Sequence, residues 1–278
     1  MKARDVAGSA AVILVATPAV LGGLYSLAAA IGLVGTGATE FDPGRLVSVF
    51  ASTETWRSVG WTIATAAVAT TLATAAAAIV ALRLRTSRVG RWLAVFPLAV
   101  PHVAAALAAL LLLGQSGLLS RVAYAAGLVS GPAAFPALVY DRAGVALTMS
   151  FAWKEFPFLA LTALAVLDTR TDGFVDAART LGANGAQVFR RVTWPLLWRG
   201  LSPAVIAAFA FLIGQYEMAV LLAPSDPLPL SVLTYERAFD PVLAHRGDAY
   251  ALGLFALLFA AILVVVHGRL RRFSVESG

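Results

Sequence analysis

Apolar residues run along this chain in blocks that are too long for the helices of a small globular core. Six such blocks are separated by short polar stretches: Gly8 to Val34, Ser58 to Leu82, Trp92 to Leu113, Ala143 to Leu167, Gly200 to Ala223 and Ala249 to His267. A helix rising 1.5 Å per residue needs roughly 20 residues to cross a hydrocarbon core about 30 Å thick, which is the length class of these blocks. Lipid offers no partner for backbone N–H and C=O groups, so each block is predicted to be an α-helix. Barrel strands of about ten residues do not fit these lengths. The expected architecture is all-α: a polytopic membrane protein with six transmembrane helices in a single domain over residues 1–278.

The connections differ in character. Thr36 to Trp56 reads as an ordinary outer loop with a turn at Asp42-Pro43-Gly44, and Arg83 to Arg91 as a short inner one. Gly114 to Arg142 holds Leu118, Leu119, Val122, Leu128 and Val129, but Arg121, Gly127, Gly131, Pro132 and Pro136 interrupt it, which predicts an interfacial helix. Pro224 to Asp248 carries four prolines and cannot be one helix; a short helix is expected there at Leu230 to Phe239.

Composition agrees with the pattern. Only 13% of residues are charged while 60% are hydrophobic, too little charge to cover a soluble globule. Basic residues add an orientation, because Lys and Arg accumulate in short cytoplasmic loops. With the N-terminus inside, 14 of the 21 basic residues lie on the inner face, among them Lys2, Arg4, Arg85, Arg170, Arg179 and Arg272. Both termini and the stretch Asp168 to Arg199 are then cytoplasmic. The net charge of +6 comes from arginines spread over helix ends, which fits anionic headgroups of the inner leaflet rather than a nucleic acid. The uncharged run from Gly8 to Val34, 27 residues, exceeds the 7 to 15 of a signal-peptide core, so a retained first helix is expected.

The inner stretch between the fourth and fifth blocks carries the most specific pattern. Asp176-Ala177-Ala178 is followed after three residues by Gly182, and nine residues later by Val192-Thr193-Trp194-Pro195. This resembles the EAA signature of permease subunits of ATP-binding cassette importers, with Asp176 in place of glutamate, Val192 of isoleucine and Trp194 of leucine. Pro97-Leu98-Ala99-Val100-Pro101, Gly117-Leu118-Leu119 and Trp153-Lys154-Glu155-Phe156-Pro157-Phe158 look like the spermidine/putrescine, ferric-iron and thiamine branch of that family.

The resemblance implies a coupling helix that sits in a cleft of a separate ATPase, with Asp176, Ala177, Ala178, Gly182, Val192 and Pro195 as its characteristic positions. It also implies the partners: two ATPase subunits that hydrolyse ATP with Mg, a second permease that is identical or related, and an extracytoplasmic solute-binding protein. The setting implied is the bacterial inner membrane, and the mechanism alternating access. An ion-gradient-driven secondary transporter is the alternative. The residue types suit docking. Asp172 is expected to cap a first helix carrying Asp176, and Gly182 with Asn184-Gly185 to turn the chain. A second helix is expected from Ala186 to Val192, with Pro195 redirecting the chain into the fifth span. Phe174, Leu181, Val188 and Phe189 supply apolar knobs.

Three charges fall inside the spans: Lys154 and Glu155 in the fourth and Glu217 in the fifth. Counted along continuous helices, Lys154 is roughly 16 Å deep and Glu217 roughly 12 Å, which suggests an interhelical ion pair. Lining of the translocation path and a polar contact between permeases are the other readings. His102, His245 and His267 are isolated, so no metal site is expected. There is no cysteine for thiolate chemistry, no Gly-rich phosphate loop and no nucleophile elbow, so the chain is expected to be neither an enzyme nor the holder of a cofactor.

Overall fold

The computed structural model describes residues 3–35, 41–84 and 87–276, and every regular element among them is helical. Lys2, Arg85 and residues 36–40 lie outside the described residues, as do the side chains of Arg4, Asp168, Arg170, Asp172 and Arg272. In chain order the helices are α1 (Ala3–Ala30), α2 (Gly44–Ala51), α3 (Thr53–Leu84), α4 (Arg88–Val95), α5 (His102–Leu113), α6 (Leu118–Ala125) and α7 (Val145–Arg170). They continue with α8 (Asp172–Thr180), α9 (Gly185–Val188), α10 (Trp194–Gly214), α11 (Ala219–Leu222), α12 (Leu230–Ala238) and α13 (Arg246–Glu276).

Among the described residues, five helical stretches are long and apolar enough to cross a membrane: Thr53–Leu84, His102–Ala125, Val145–Leu167, Gly185–Gly214 and Leu243–Arg271. The first expected span contributes a shorter apolar helix, Ala16–Ala30. Two spans differ from expectation in continuity. The block Trp92 to Leu113 is broken: α4 ends at Val95, a 3₁₀ turn covers Phe96–Ala99, Val100 is extended at φ −91°, ψ 122°, and α5 starts at His102. Pro97 and Pro101 remove two backbone donors within five residues, and Pro101 forces its predecessor out of the helical region. The block Gly200 to Ala223 likewise stops at Gly214, with Gln215 extended at φ −71°, ψ 112°, before the short α11.

The chain forms two compact units, Met1–Val59 with Leu230–Ile262 and Gly60–Pro229 with Leu263–Gly278, and α3 and α13 contribute to both. In the first unit, α2 begins where the Asp42-Pro43-Gly44 turn is expected, and its Arg45 is buried with Nε 4.0 Å from Asp248 Oδ1 on α13. Gly247 leaves room for the Arg45 guanidinium, which a Cβ at that position would displace. Tyr25 meets Tyr250 edge-on at 5.8 Å, and Phe50, Trp56 and Phe255 form one aromatic cluster. The helix α12 matches the short one expected after the proline-rich start of its loop, and its Arg237 pairs with Glu54. Beyond it, Asp240 accepts from the Val242 N–H at 2.7 Å and contacts His245 Nδ1 at 3.0 Å. These two bonds hold its carboxyl below the usual carboxylate range.

In the second unit, α7 and α10 pack closely along their length. Leu147, Leu159 and Leu167 of α7 and Leu197, Leu201 and Leu212 of α10 are fully buried. Gly200 brings α10 close to α7, so close that a Cβ would lie 2.4 Å from Val166 Cγ2. Small residues allow such approaches where lipid supplies no hydrophobic drive between helices. The stretch from Gly114 to Arg142 contains the expected short helix as α6, with Leu118, Leu119 and Val122 exposed and Ser120 buried. Trp61 anchors the entry to α7: its Nε1 donates to Arg142 O at 2.7 Å and its ring covers Gly144, which has φ +68°.

Candidate functional site: the α8–α10 segment and the polar break

The helix α7 passes into α8 through Thr171, which keeps a near-helical φ −98°, ψ −36°. The start of α8 thus has Thr171, not Asp172, in the capping position, and Thr171 makes no side-chain cap bond. Along α8, Asp176 and Ala177 are exposed and Ala178 is half-buried. The helix ends as its glycine requires. Gly182 takes φ +84°, its N–H bonds Arg179 O at 2.9 Å, and Ala183 N–H bonds Ala178 O at 3.0 Å. These are the two bonds of a Schellman closure, which needs a residue tolerant of left-handed geometry. The ending leaves Leu181 88% exposed, and Phe174 is exposed on the same helix.

The chain restarts at once. Asn184 and Gln187 form a reciprocal capping box: Asn184 Oδ1 accepts from Gln187 N–H at 3.0 Å, and Gln187 Oε1 from Asn184 N–H at 2.9 Å. The Asn-Gly-Ala-Gln spacing carries that signal in the sequence, beyond the turn that Asn184-Gly185 announces. The helix begun there does not end at Val192. It runs through a π turn at Phe189–Thr193 directly into α10, where Pro195 lies in the first turn. Trp194 N–H bonds Phe189 O, five residues back. That wider register absorbs Pro195, which has no N–H for the carbonyl four residues before it. The expected change of direction at Pro195 is therefore replaced by a continuous helix. Val192 and Pro195 are half-buried, Val188 is buried, and Trp194 stacks on Trp198 at 6.2 Å.

The segment encloses a cleft of ≈ 910 Å³ between α8–α9 and the end of α3, with Ile79, Leu82, Val175 and Phe189 on apolar walls and Arg83, Asp176 and Arg179 among its polar lining. Phe174, Ala177 and Leu181 thus share an exposed, apolar face of α8 that ends at Gly182, while Asp176, also exposed, lies on the cleft side of the helix. That is a shape suited to insertion into a groove of another subunit.

The charges in the spans are arranged differently from expectation. Among the described residues, no ion pair within 4.0 Å joins Lys154 to Glu217. Lys154 is 8% exposed, and its Nζ donates to Pro97 O at 2.9 Å and Val100 O at 2.6 Å, both at the break before α5. Glu155 is buried beside it, whereas Glu217 is exposed in the turn after Gly214. The depth estimate that pairs them assumes an unbroken fifth span; the break at Gln215 moves Glu217 off the helical face. A lysine at mid-membrane depth costs about 2.5–3.5 kcal/mol by insertion scales unless it finds protein or water, and two carbonyls freed by prolines are such partners. The short patterns around Pro97–Pro101 and Trp153–Glu155 consequently belong to one structural feature, which Phe96 and Trp153 also close edge-on at 6.4 Å. The ring of His102, just past the break, lies 5.9 Å from Phe211 of α10.

Residues 69–274 match the family model described as binding-protein-dependent transport system inner membrane component. The molybdenum transport system permease protein of Mycobacterium tuberculosis is 30% identical over 191 residues, covering 67% of this chain and 66% of the relative, so the match spans just under two thirds of that protein's length. A probable ABC transporter permease protein of Brucella suis is 25% identical over 256 residues, covering 86% of this chain and 85% of the relative. The fold is similar to that of a bacterial ABC transporter involved in the import of the acidic polysaccharide alginate, with TM-score 0.68, 16% identity and 97% of each chain covered. The chain belongs to the family of binding-protein-dependent transport system inner membrane components, and the α8–α10 segment and the polar break both lie within the matched residues.

Proposed function

We propose that this chain is the permease subunit of an ATP-binding cassette importer, working as one transmembrane domain of six spans with both termini in the cytoplasm of a bacterium. The observation that carries the reading is the family match over residues 69–274, which contains the whole α8–α10 segment. In this reading α8 is the coupling helix. Its exposed face enters a cleft of an ATPase subunit, with Phe174 and Leu181 as apolar anchors, Asp176 as the charged point beside them, and the small Ala177 and Gly182 permitting close approach.

Two ATPase subunits bind and hydrolyse ATP with Mg; the permease itself performs no chemistry and carries no cofactor. A second permease, identical or related, completes the pathway. An extracytoplasmic binding protein delivers the solute, as fits a relative in fold whose structure is a complex with an alginate pentasaccharide-bound periplasmic protein. ATP binding draws the ATPases together, α8 moves with them, and α7 and α10, continuous with the segment at its two ends, carry the motion into the membrane. The polar groups Lys154, Glu155 and Glu217 lie beside the two broken spans; discontinuous helices of this kind favour solute passage at mid-membrane depth. No observation favours the gradient-driven alternative.

The test is copurification of an ATPase subunit with the tagged permease from membranes expressing both. Asp176→Lys and Leu181→Asp each change an exposed side chain at ordinary backbone geometry, so the permease should remain in the membrane while the ATPase is lost. Undiminished copurification of the ATPase with both variants, or ion-driven transport by the purified permease alone, refutes the reading.

A further inference from the structure

Pro101 has no N–H to give to Pro97 O, its helical partner four residues back, and the 3₁₀ bond that Pro97 O does receive from Val100 N–H is long at 3.4 Å. Val100 O points out of an extended residue between two half-helices. Both carbonyls are taken by one ammonium on a different span, that of Lys154. Carbonyls at the C-terminal end of a helical stretch form its negative pole, so a cation is the fitting cap there. The lysine is nonetheless on α7, and α7 passes through Thr171 into α8. From Lys154 to Thr171 is about 25 Å along a helix rising 1.5 Å per residue.

We propose that Lys154 is a positioning residue that clamps the break of the third span to α7, so that displacement of α8 moves the start of α5 and His102 with it. The proposal rests on the reading of α8 as the coupling helix and adds the contact through which its motion reaches the third span. Lys154 itself then contacts no solute. Its two bonds are intramolecular, and its work is to make the α4–α5 break follow α7.

The experiment uses the permease copurified with its ATPase in nanodiscs. The chain has no cysteine, so His102→Cys provides a single thiol beside the break. Its rate of modification by a charged methanethiosulfonate is measured without nucleotide and with ATP trapped by vanadate. With Lys154 present the two rates should differ; equal rates there mean that the break does not follow α8, which overturns the proposal, whereas failure of the ATPase to copurify at the outset would overturn the importer reading instead. Adding Lys154→Met should abolish the difference, and Lys154→Arg, which keeps the donors, should retain it. Because Lys154→Met also strands two carbonyls, a second variant separates folding from positioning. Pro101→Ala restores an N–H for Pro97 O, so Lys154→Met/Pro101→Ala should regain membrane abundance while the nucleotide-dependent difference stays lost. A difference that survives in Lys154→Met, or returns in the double variant, overturns the proposal and leaves Lys154 a structural cap.

Discussion

Replacing Gly200 by alanine separates two effects of opposite sign. In the interior of a helix such as α10, glycine to alanine is worth about 0.5–1 kcal/mol of stabilisation through backbone entropy. At this position the new Cβ would lie 2.4 Å from Val166 Cγ2 and 2.9 Å from Cγ1. Carbon atoms in ordinary contact sit about 3.5–4.0 Å apart, so one helix has to retreat by roughly 1 Å. Valine cannot rotate away, because its branched Cβ leaves one favoured rotamer in a helix. Overpacking of this kind costs about 1–3 kcal/mol, which at the middle of both ranges outweighs the entropic gain and leaves a net loss of about 1 kcal/mol. Val166→Ala removes both obstructing methyl groups and leaves only the Val166 Cβ, 3.3 Å from the new one, so on that background Gly200→Ala should lose most of its cost. The coupling between the two sites should then be about 1–3 kcal/mol. Gly253 on α13, where an added Cβ would meet nothing within 4 Å, is the control and should show only the gain from alanine. Reversible unfolding in mixed micelles, followed by tryptophan fluorescence, reads all four variants. A Gly200→Ala protein as stable as the parent, or one whose loss is the same with and without Val166, refutes the steric account of the α7–α10 contact.

Two further outcomes test the loops. Asn184→Ala removes the capping box and should cost about 1 kcal/mol, seen as faster hydrogen exchange at the Gln187 amide, while Gln187→Ala, which keeps the Asn184 acceptor, should cost less. Asp240 is held below the usual carboxylate range by the Val242 N–H and His245, so its contribution is present above the unfolded value of about 3.9 and disappears as pH falls through the lower folded value. The Val242 amide should stay protected from neutral pH down past pH about 4 and then open, and Asp240→Asn should abolish that dependence. A midpoint above the ordinary aspartate range contradicts the sign.

Much of the segment joining the fourth and fifth spans was legible because its cues are local. Gly182 ends α8 through a conformation that glycine adopts at little cost, and Asn184 begins the next helix through a bond to a residue three positions on. The end of that second helix was not legible. Pro195 reads as a breaker, yet a π turn upstream shifts the bonding register by one residue and lets the helix run on, and nothing in the residues Phe189 to Thr193 announces it. The third span failed for the opposite reason. Pro97 and Pro101 were visible breakers, but the apolar block around them is long enough to cross the membrane, and hydropathy averages over a break.

The sequence by itself determined the class of the protein: a backbone in lipid must satisfy its own hydrogen bonds in helices or a closed barrel, and apolar blocks of about 20 residues fit helices, not barrel strands of about ten. It also determined the bends whose donors and acceptors are close in the chain. Only the tertiary structure decided where the intramembrane lysine goes. Lys154 and Glu217 looked complementary as charges at similar depth, but the carbonyls of Pro97 and Val100 are brought to Lys154 from more than fifty positions away. A buried ammonium takes the acceptors that packing places within reach, and helix periodicity carries no information about which carbonyls a break on another span will leave free.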